Sequence, residues 1–194
     1  MTTAVILAGG QGRRMGGNKP FHAHGASTLI EAVIARLRGQ AGALYINASH
    51  HLTPEFEALG LPLVVDDADF SALGPLSGVL TALELAAARG EEAVVTVPCD
   101  MPDLPLDLVA QLESAPHTDV VYFTGRSEYP LCALWRTTVT ERLKAMLEKN
   151  RDGGGLAVWR FLEQVQVCKI ITTDDAAFAN INVPQPKSWD QRLP

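Results

Sequence analysis

The sequence predicts an α/β protein, a three-layer, doubly wound, mostly parallel sheet with an antiparallel element in its C-terminal half. Three observations predict it. Short apolar runs alternate with helix-spaced apolar patterns over the first 113 residues, a glycine-rich loop follows the first run, and the alternation breaks after Asp119. Regular alternation of strand and helix favours parallel strands with helices packed on both faces.

The opening run Ala4-Val5-Ile6-Leu7-Ala8, ended by Gly9-Gly10, reads as a strand buried on both faces. Thr28 with Glu31 has the form of a capping box, and Leu29, Ile30, Val33, Ile34 and Leu37 then follow at helical spacing. Leu44-Tyr45-Ile46 and Leu61-Pro62-Leu63-Val64-Val65 are the next strands, with Pro54 opening a short helix between them and Pro62 confined to a strand start. Pro75 precedes Leu76, Val79, Leu80, Leu83 and Ala87, a helix with proline in its first turn that Gly90 closes. Ala93 to Val97 is a buried strand stopped by Pro98, and Leu106 to Leu112 a helix beyond it. Past Asp119, Val120 to Phe123 and Leu131 to Trp135 are separated by the turn-like Gly125-Arg126-Ser127-Glu128, as in a hairpin. Val139, Leu143, Met146 and Leu147 mark a helix, Asn150 to Gly155 a polar break, and Val158, Phe161, Leu162 and Val165 a last helix. Val167 to Ile171 is a late strand, and the tail from Pro184 is expected to be irregular.

Of 194 residues 47% are hydrophobic and 20% charged, which excludes a disordered chain and a collagen-like repeat. The length suits one well-cored domain, residues 1–194. Sixteen basic against 22 acidic residues leave a net charge of −6, which disfavours nucleic acid as a partner and requires a local basic cluster for any anionic ligand. Cys99, Cys132 and Cys168 are odd in number and lack C-x-x-C spacing, so neither a disulfide framework nor a thiolate zinc site is expected. The apolar stretch at Ala4 to Ala8 is short and carries its arginines after it, the reverse of a secretory signal, and no window has the length of a membrane span. A reducing cytoplasm and no membrane partner are the expectation.

The strongest functional signal is the loop Gly9-Gly10-Gln11-Gly12-Arg13-Arg14-Met15-Gly16-Gly17-Asn18-Lys19. Glycines let backbone N–H groups approach phosphates, and cations neutralise them; glycines also serve ordinary tight turns. Arg13, Arg14 and Lys19 clustered in an acidic protein favour the anion reading. A dinucleotide pattern from Gly10 finds Met15 at its third glycine, which speaks against a nicotinamide oxidoreductase. A Walker pattern from Gly12 fails twice, at Asn18 and at Pro20.

Ligands of such sheets collect beyond the carboxyl ends of the strands, where Asn47, Asp66-Asp67 and Asp100 stand. Asp100, stiffened by Pro98 and Pro102, is suited to magnesium, which takes one or two carboxylates plus substrate phosphates. Plainer roles also fit, Asp100 as a helix cap or turn residue and Asp66 and Asp67 as turn formers. Cys99 is read as a buried filler and not a nucleophile, and His22, His24, His50 and His51 as solvated loop residues without a zinc spacing.

Taken together these residues resemble the molybdenum cofactor guanylyltransferase family of nucleotidyltransferases. The family opens with LAGG, three residues, RMGG and a lysine; here Leu7-Ala8-Gly9-Gly10, Gln11-Gly12-Arg13, Arg14-Met15-Gly16-Gly17 and Lys19. The resemblance continues at Asn47, at Asp67 ahead of Gly74-Pro75-Leu76-Ser77-Gly78, at Cys99-Asp100-Met101-Pro102, at Tyr129-Pro130-Leu131 and at Asn180-Ile181-Asn182-Val183-Pro184. It departs before Lys19, where Asn18 alone stands in place of the family's usual two residues.

The resemblance implies a nucleotide-diphospho-sugar transferase-like Rossmann fold and transfer of GMP from GTP to the phosphate of molybdopterin, with Mg2+ as cofactor. It assigns Lys19, Arg14 and Asp100 to catalysis, Asp100 to the metal, and Leu7, Ala8, Gly9, Gly10, Lys19, Asn47, Asp67 and Asp100 to the nucleotide. Asn180 and Asn182 fall to the acceptor or pyrophosphate side. Implied partners are GTP, molybdopterin or the molybdenum cofactor, and cofactor-delivery or acceptor molybdoenzyme proteins. Gly9 and residues 74–78 favour guanine over cytosine by the same resemblance. The alternatives are a cytidylyltransferase, a sugar-phosphate nucleotidyltransferase and a non-catalytic nucleotide-binding regulatory module.

Overall fold

In the first apolar run, strand β1 (Thr3–Leu7), Ala4 and Ile6 enter one apolar layer and Val5 the other. Side chains that alternate between two buried faces need cover on both. The computed structural model describes residues 2–9, 19–48, 54–71, 73–151 and 155–181. After β1 the described chain resumes in a 3-10 turn at Lys19–Phe21 and a small hairpin, β2 (Ala23–His24) with β3 (Ser27–Thr28). Helix α1 (Leu29–Leu37) starts at the expected capping box, with Glu31 Oε2 accepting from Thr28 N at 2.8 Å and Thr28 Oγ1 accepting from Glu31 N at 3.4 Å. Then come β4 (Ala43–Ala48), α2 (Pro54–Ala58), β5 (Leu63–Val65), α3 (Pro75–Ala88), β6 (Ala93–Pro98) and α4 (Leu108–Ser114). The C-terminal half adds β7 (Val120–Thr124), β8 (Glu128–Arg136), α5 (Thr140–Lys149), α6 (Val158–Leu162) and β9 (Val167–Ile171).

The sheet runs β5-β4-β1-β6-β8-β7-β9. Strand β8 is antiparallel to both β6 and β7, and the other pairings are parallel. Residues from α1, α2 and α4 pack on one face, and residues from α3, α5 and α6 on the other. At the centre Trp135, wholly buried, donates its Nε1–H to Thr96 Oγ1 at 2.8 Å, so neither polar group is stranded in the core. From β1 the chain moves outward to β4 and β5, then returns to β6 on the other side of β1. That reversal opens a crevice at the carboxyl ends of β4, β1 and β6, the place where sheets of this kind take ligands.

Several element boundaries differ from expectation, and β5 starts at Leu63 and not Leu61, with Pro62, which has no N–H to give a ladder, just outside it. Helix α4 begins at Leu108 and not Leu106, because Gln40 pins its start: Nε2 donates to Pro105 O at 3.0 Å and Oε1 accepts from Val109 N at 3.1 Å, which leaves Leu106 exposed. Strand β8 begins at Glu128, three residues early, with Pro130 absorbed by a register shift opposite Tyr122 and Phe123. Helix α6 stops at Leu162, before Val165. The tail from Pro184 and residues 152–154 of the polar break lie outside the described residues.

Candidate active site

At the crevice Leu7 is in register with Asn47 of β4 on one side and Pro98 of β6 on the other. The ladder runs one step past the strands, since Ala8 N donates to Asn47 O at 2.8 Å and Cys99 N to Leu7 O at 3.2 Å. Leu7, Ala8 and Gly9 therefore leave the sheet between Asn47 and the turn that carries Asp100. Gly10, the loop through Asn18 that includes Arg14, and also His50 and His51, lie outside the described residues.

Lys19 opens the 3-10 turn that brings the chain back, with Phe21 meeting Phe56 edge-on at 4.8 Å. Its Nζ forms an ion pair with Asp100 Oδ2, the side chains keeping 18% and 14% of their exposure. That leaves the pair reachable from the crevice and too enclosed to be a solvated surface contact. Next to it Cys99 is buried, and burial, with the Asp100 charge second, pushes its thiol up to about 12. A thiol so held stays protonated at neutral pH and is no nucleophile, as expected from the sequence. Burial also pushes the Cys132 thiol up; its Sγ lies 3.2 Å from Met101 Sδ beneath the same turn.

Asn47 is buried at the end of β4, and its Nδ2 donates to Asp66 Oδ1 at 2.6 Å. The same oxygen accepts from Thr81 Oγ1 at 2.8 Å, and Thr81 also reaches Ser77 O at 3.1 Å. The segment Gly74-Pro75-Leu76-Ser77-Gly78 makes this possible. Gly74 turns the chain at φ 95°, Pro75 starts α3, and Ser77 Oγ donates to Phe70 O at 2.5 Å. Gly78 lies against Asn47, where a Cβ would stand 2.5 Å from Oδ1.

The expected site residues do not all stand alike. Asp67 is exposed and acts as a turn former: its Oδ1 accepts from Asp69 N at 2.8 Å, and its carbonyl from Phe70 N and Ser71 N at 2.9 Å. Asn180 is exposed, and Ile181 N next to it donates to Asp100 O at 2.9 Å, which brings the C-terminal motif to the Asp100 turn. Asn182 lies outside the described residues. His22 and His24 are partly exposed, and among the described residues no three or more His, Cys, Asp or Glu side chains group as metal ligands. An aspartate that no sequence motif marks, Asp175, accepts from Tyr129 Oη and Arg126 N, both at 2.7 Å, and ties the β7–β8 turn to the 3-10 turn Asp175–Phe178. Its carboxyl is held below its ordinary value, chiefly by the Tyr129 hydroxyl.

Residues 4–167 match the family described as MobA-like NTP transferase domain. A molybdenum cofactor guanylyltransferase of Polynucleobacter asymbioticus is 37% identical, over 94% of this chain and 92% of that one. Another, of Cereibacter sphaeroides, is 39% identical over 93% and 91%. Among solved structures, molybdopterin-guanine dinucleotide biosynthesis protein A of Archaeoglobus fulgidus superposes with a TM-score of 0.71 at 21% identity, covering 94% of this chain and 93% of its own. The likeness shows that the fold, the nucleotide-diphospho-sugar transferase arrangement, is shared.

Proposed function

Since the chain belongs to the MobA-like NTP transferase domain family, we propose that it is a molybdenum cofactor guanylyltransferase, transferring GMP from GTP to the phosphate of molybdopterin. The observation that carries the reading is the Lys19–Asp100 pair at the crevice beside the end of β1. Relatives bearing that function, alike over nine-tenths of both chains, support it.

An acceptor phosphate oxygen attacks the α-phosphorus of GTP; the new P–O bond forms as the bond to the bridging oxygen breaks, and pyrophosphate leaves with that electron pair. No protein nucleophile is needed, in keeping with the protonated Cys99 thiol. The protein's part is positioning and charge stabilisation. Asp100 fits a divalent cation, magnesium in this reading, because its carboxylate already takes one cation, the Lys19 ammonium, at the edge of the crevice. Such an ion, when bound, neutralises charge on phosphate oxygens. Lys19 and Arg14 stabilise charge on the triphosphate, while the backbone of Leu7, Ala8, Gly9 and Gly10 meets the guanine. Asn47 and Asp67 hold the nucleoside, Asp67 through Oδ2 since its Oδ1 serves its own turn, and Asn180 and Asn182 serve the acceptor or pyrophosphate side.

The reading takes residues 1–194 as one domain working in the cytoplasm, with cofactor-delivery or acceptor molybdoenzyme proteins as further partners. Among the described residues no helix is long and apolar enough to cross a membrane. Incubation with magnesium, molybdopterin and one nucleotide at a time, followed by pyrophosphate detection, tests it: release with GTP supports the reading. Release with CTP alone would make the protein a cytidylyltransferase, and release with neither a binding module.

A further inference from the structure

We propose that Asp66 is a positioning residue that fixes which end of the Asn47 carboxamide faces the nucleoside. The inference rests on the reading of Asn47 as a nucleoside contact. A carboxylate only accepts hydrogen bonds, so the end of Asn47 turned toward Asp66 must be its NH2, and Nδ2 lies 2.6 Å from Asp66 Oδ1. Asp66 is itself held: it is buried at the end of β5, and Thr81 of α3 donates to the same oxygen at 2.8 Å. The carbonyl end of Asn47 is thereby directed away from Asp66 and against Gly78, where the missing Cβ leaves it room.

That orientation has a chemical consequence. Oδ1 of Asn47 asks for a donor, and GTP has donors at the N1–H and amino group of guanine and at the ribose hydroxyls. Were the amide reversed, the same position would offer an N–H to those donors and be left unpaired, a costly outcome at a buried site. Asp66 thus acts on the nucleoside end of the ligand without touching it. Its neighbour Asp67, the residue the family resemblance assigns to the nucleotide, engages its own turn through Oδ1.

The test measures dissociation constants for GTP and for inorganic triphosphate, each with magnesium, on the full chain. Asp66→Ala is expected to weaken GTP about tenfold and leave inorganic triphosphate within about twofold, since one buried, charged hydrogen bond is lost at the nucleoside end alone. Equal loss for both ligands, or none for GTP, would overturn the proposal. A swap guards against a fold defect. Asn47→Asp alone sets two carboxylates together and should weaken GTP at least as much, whereas Asn47→Asp with Asp66→Asn restores donor and acceptor in exchanged places and should recover most of the affinity. A double variant no better than Asn47→Asp, with both folded by thermal melt, would overturn it too. Asn47→Ala separates the nucleoside role of Asn47 from the positioning role of Asp66: unchanged GTP affinity there removes the nucleoside role of Asn47 and the proposal with it. Loss there without loss in Asp66→Ala overturns the proposal alone.

Discussion

Lys19 Nζ and the Asp100 carboxylate form an ion pair that joins the end of the glycine-rich loop to the turn beyond β6. The two residues stand 81 positions apart in sequence, and the family resemblance gives both to catalysis and the nucleotide, with Asp100 also to the metal. In the fold they share one point at the crevice mouth. Because both charges are largely enclosed, each has consequences for the other when substituted.

Asp100→Ala should lower turnover by about 100-fold or more while the protein still melts cooperatively, because it removes a site carboxylate and no core side chain. Circular dichroism melting and pyrophosphate release check this together. Near wild-type turnover with the same magnesium optimum would refute the metal assignment.

Lys19→Ala should lower kcat and kcat/KM together, by about 100-fold to 1,000-fold, if the ammonium meets charge that develops in the transition state. A raised KM with kcat kept would make Lys19 a ground-state attractor. The double variant with Arg14→Ala should be less than additive if both cations serve the same oxygens, and steady-state kinetics on all three decide it.

Gly78→Ala should destabilise the protein by about 1–3 kcal/mol, the usual cost of forcing a group into a filled space. The new Cβ would stand 2.5 Å from Asn47 Oδ1 and 3.1 Å from Leu7 Cδ2. Urea unfolding measures the loss, and unchanged stability would show that the carboxamide yields freely.

Of the three thiols, the partly exposed Cys168 should react quickly with a disulfide reagent at pH 8, and the buried Cys99 and Cys132 only on unfolding. Three equally fast thiols would contradict that burial. Because the Cys99 thiol is raised to about 12 in the folded protein, the unfolded chain gives up that proton first. Its contribution is intact below the ordinary thiol value and is lost as the pH rises through about 12.

Most of the fold was legible because its signals are local. Both faces of β1 are buried, so the run from Ala4 to Leu7 carries no polar side chain, and Thr28 with Glu31 announces the start of α1 within a single turn. Less legible was what depends on contacts between distant segments. Helix α4 starts where Gln40 holds it, and β8 extends to Glu128 because β7 and its turn offer a partner. At the site, Asp66-Asp67 could not be divided by pattern, since β5 has only three residues and gives little alternation to count. Asp66 turns inward to Asn47 and Asp67 outward to its own turn. Asp175 had no signal at all, because its partners Tyr129 and Arg126 belong to a hairpin distant in sequence.

Pyrophosphate release from purified protein with magnesium and molybdopterin, GTP and CTP compared at equal concentration, decides whether the chain transfers a guanylyl group. A guanylyltransferase releases pyrophosphate with GTP, forms a dinucleotide product containing guanine, and releases little with CTP. Equal release from both nucleotides, or release from CTP alone, would contradict that reading.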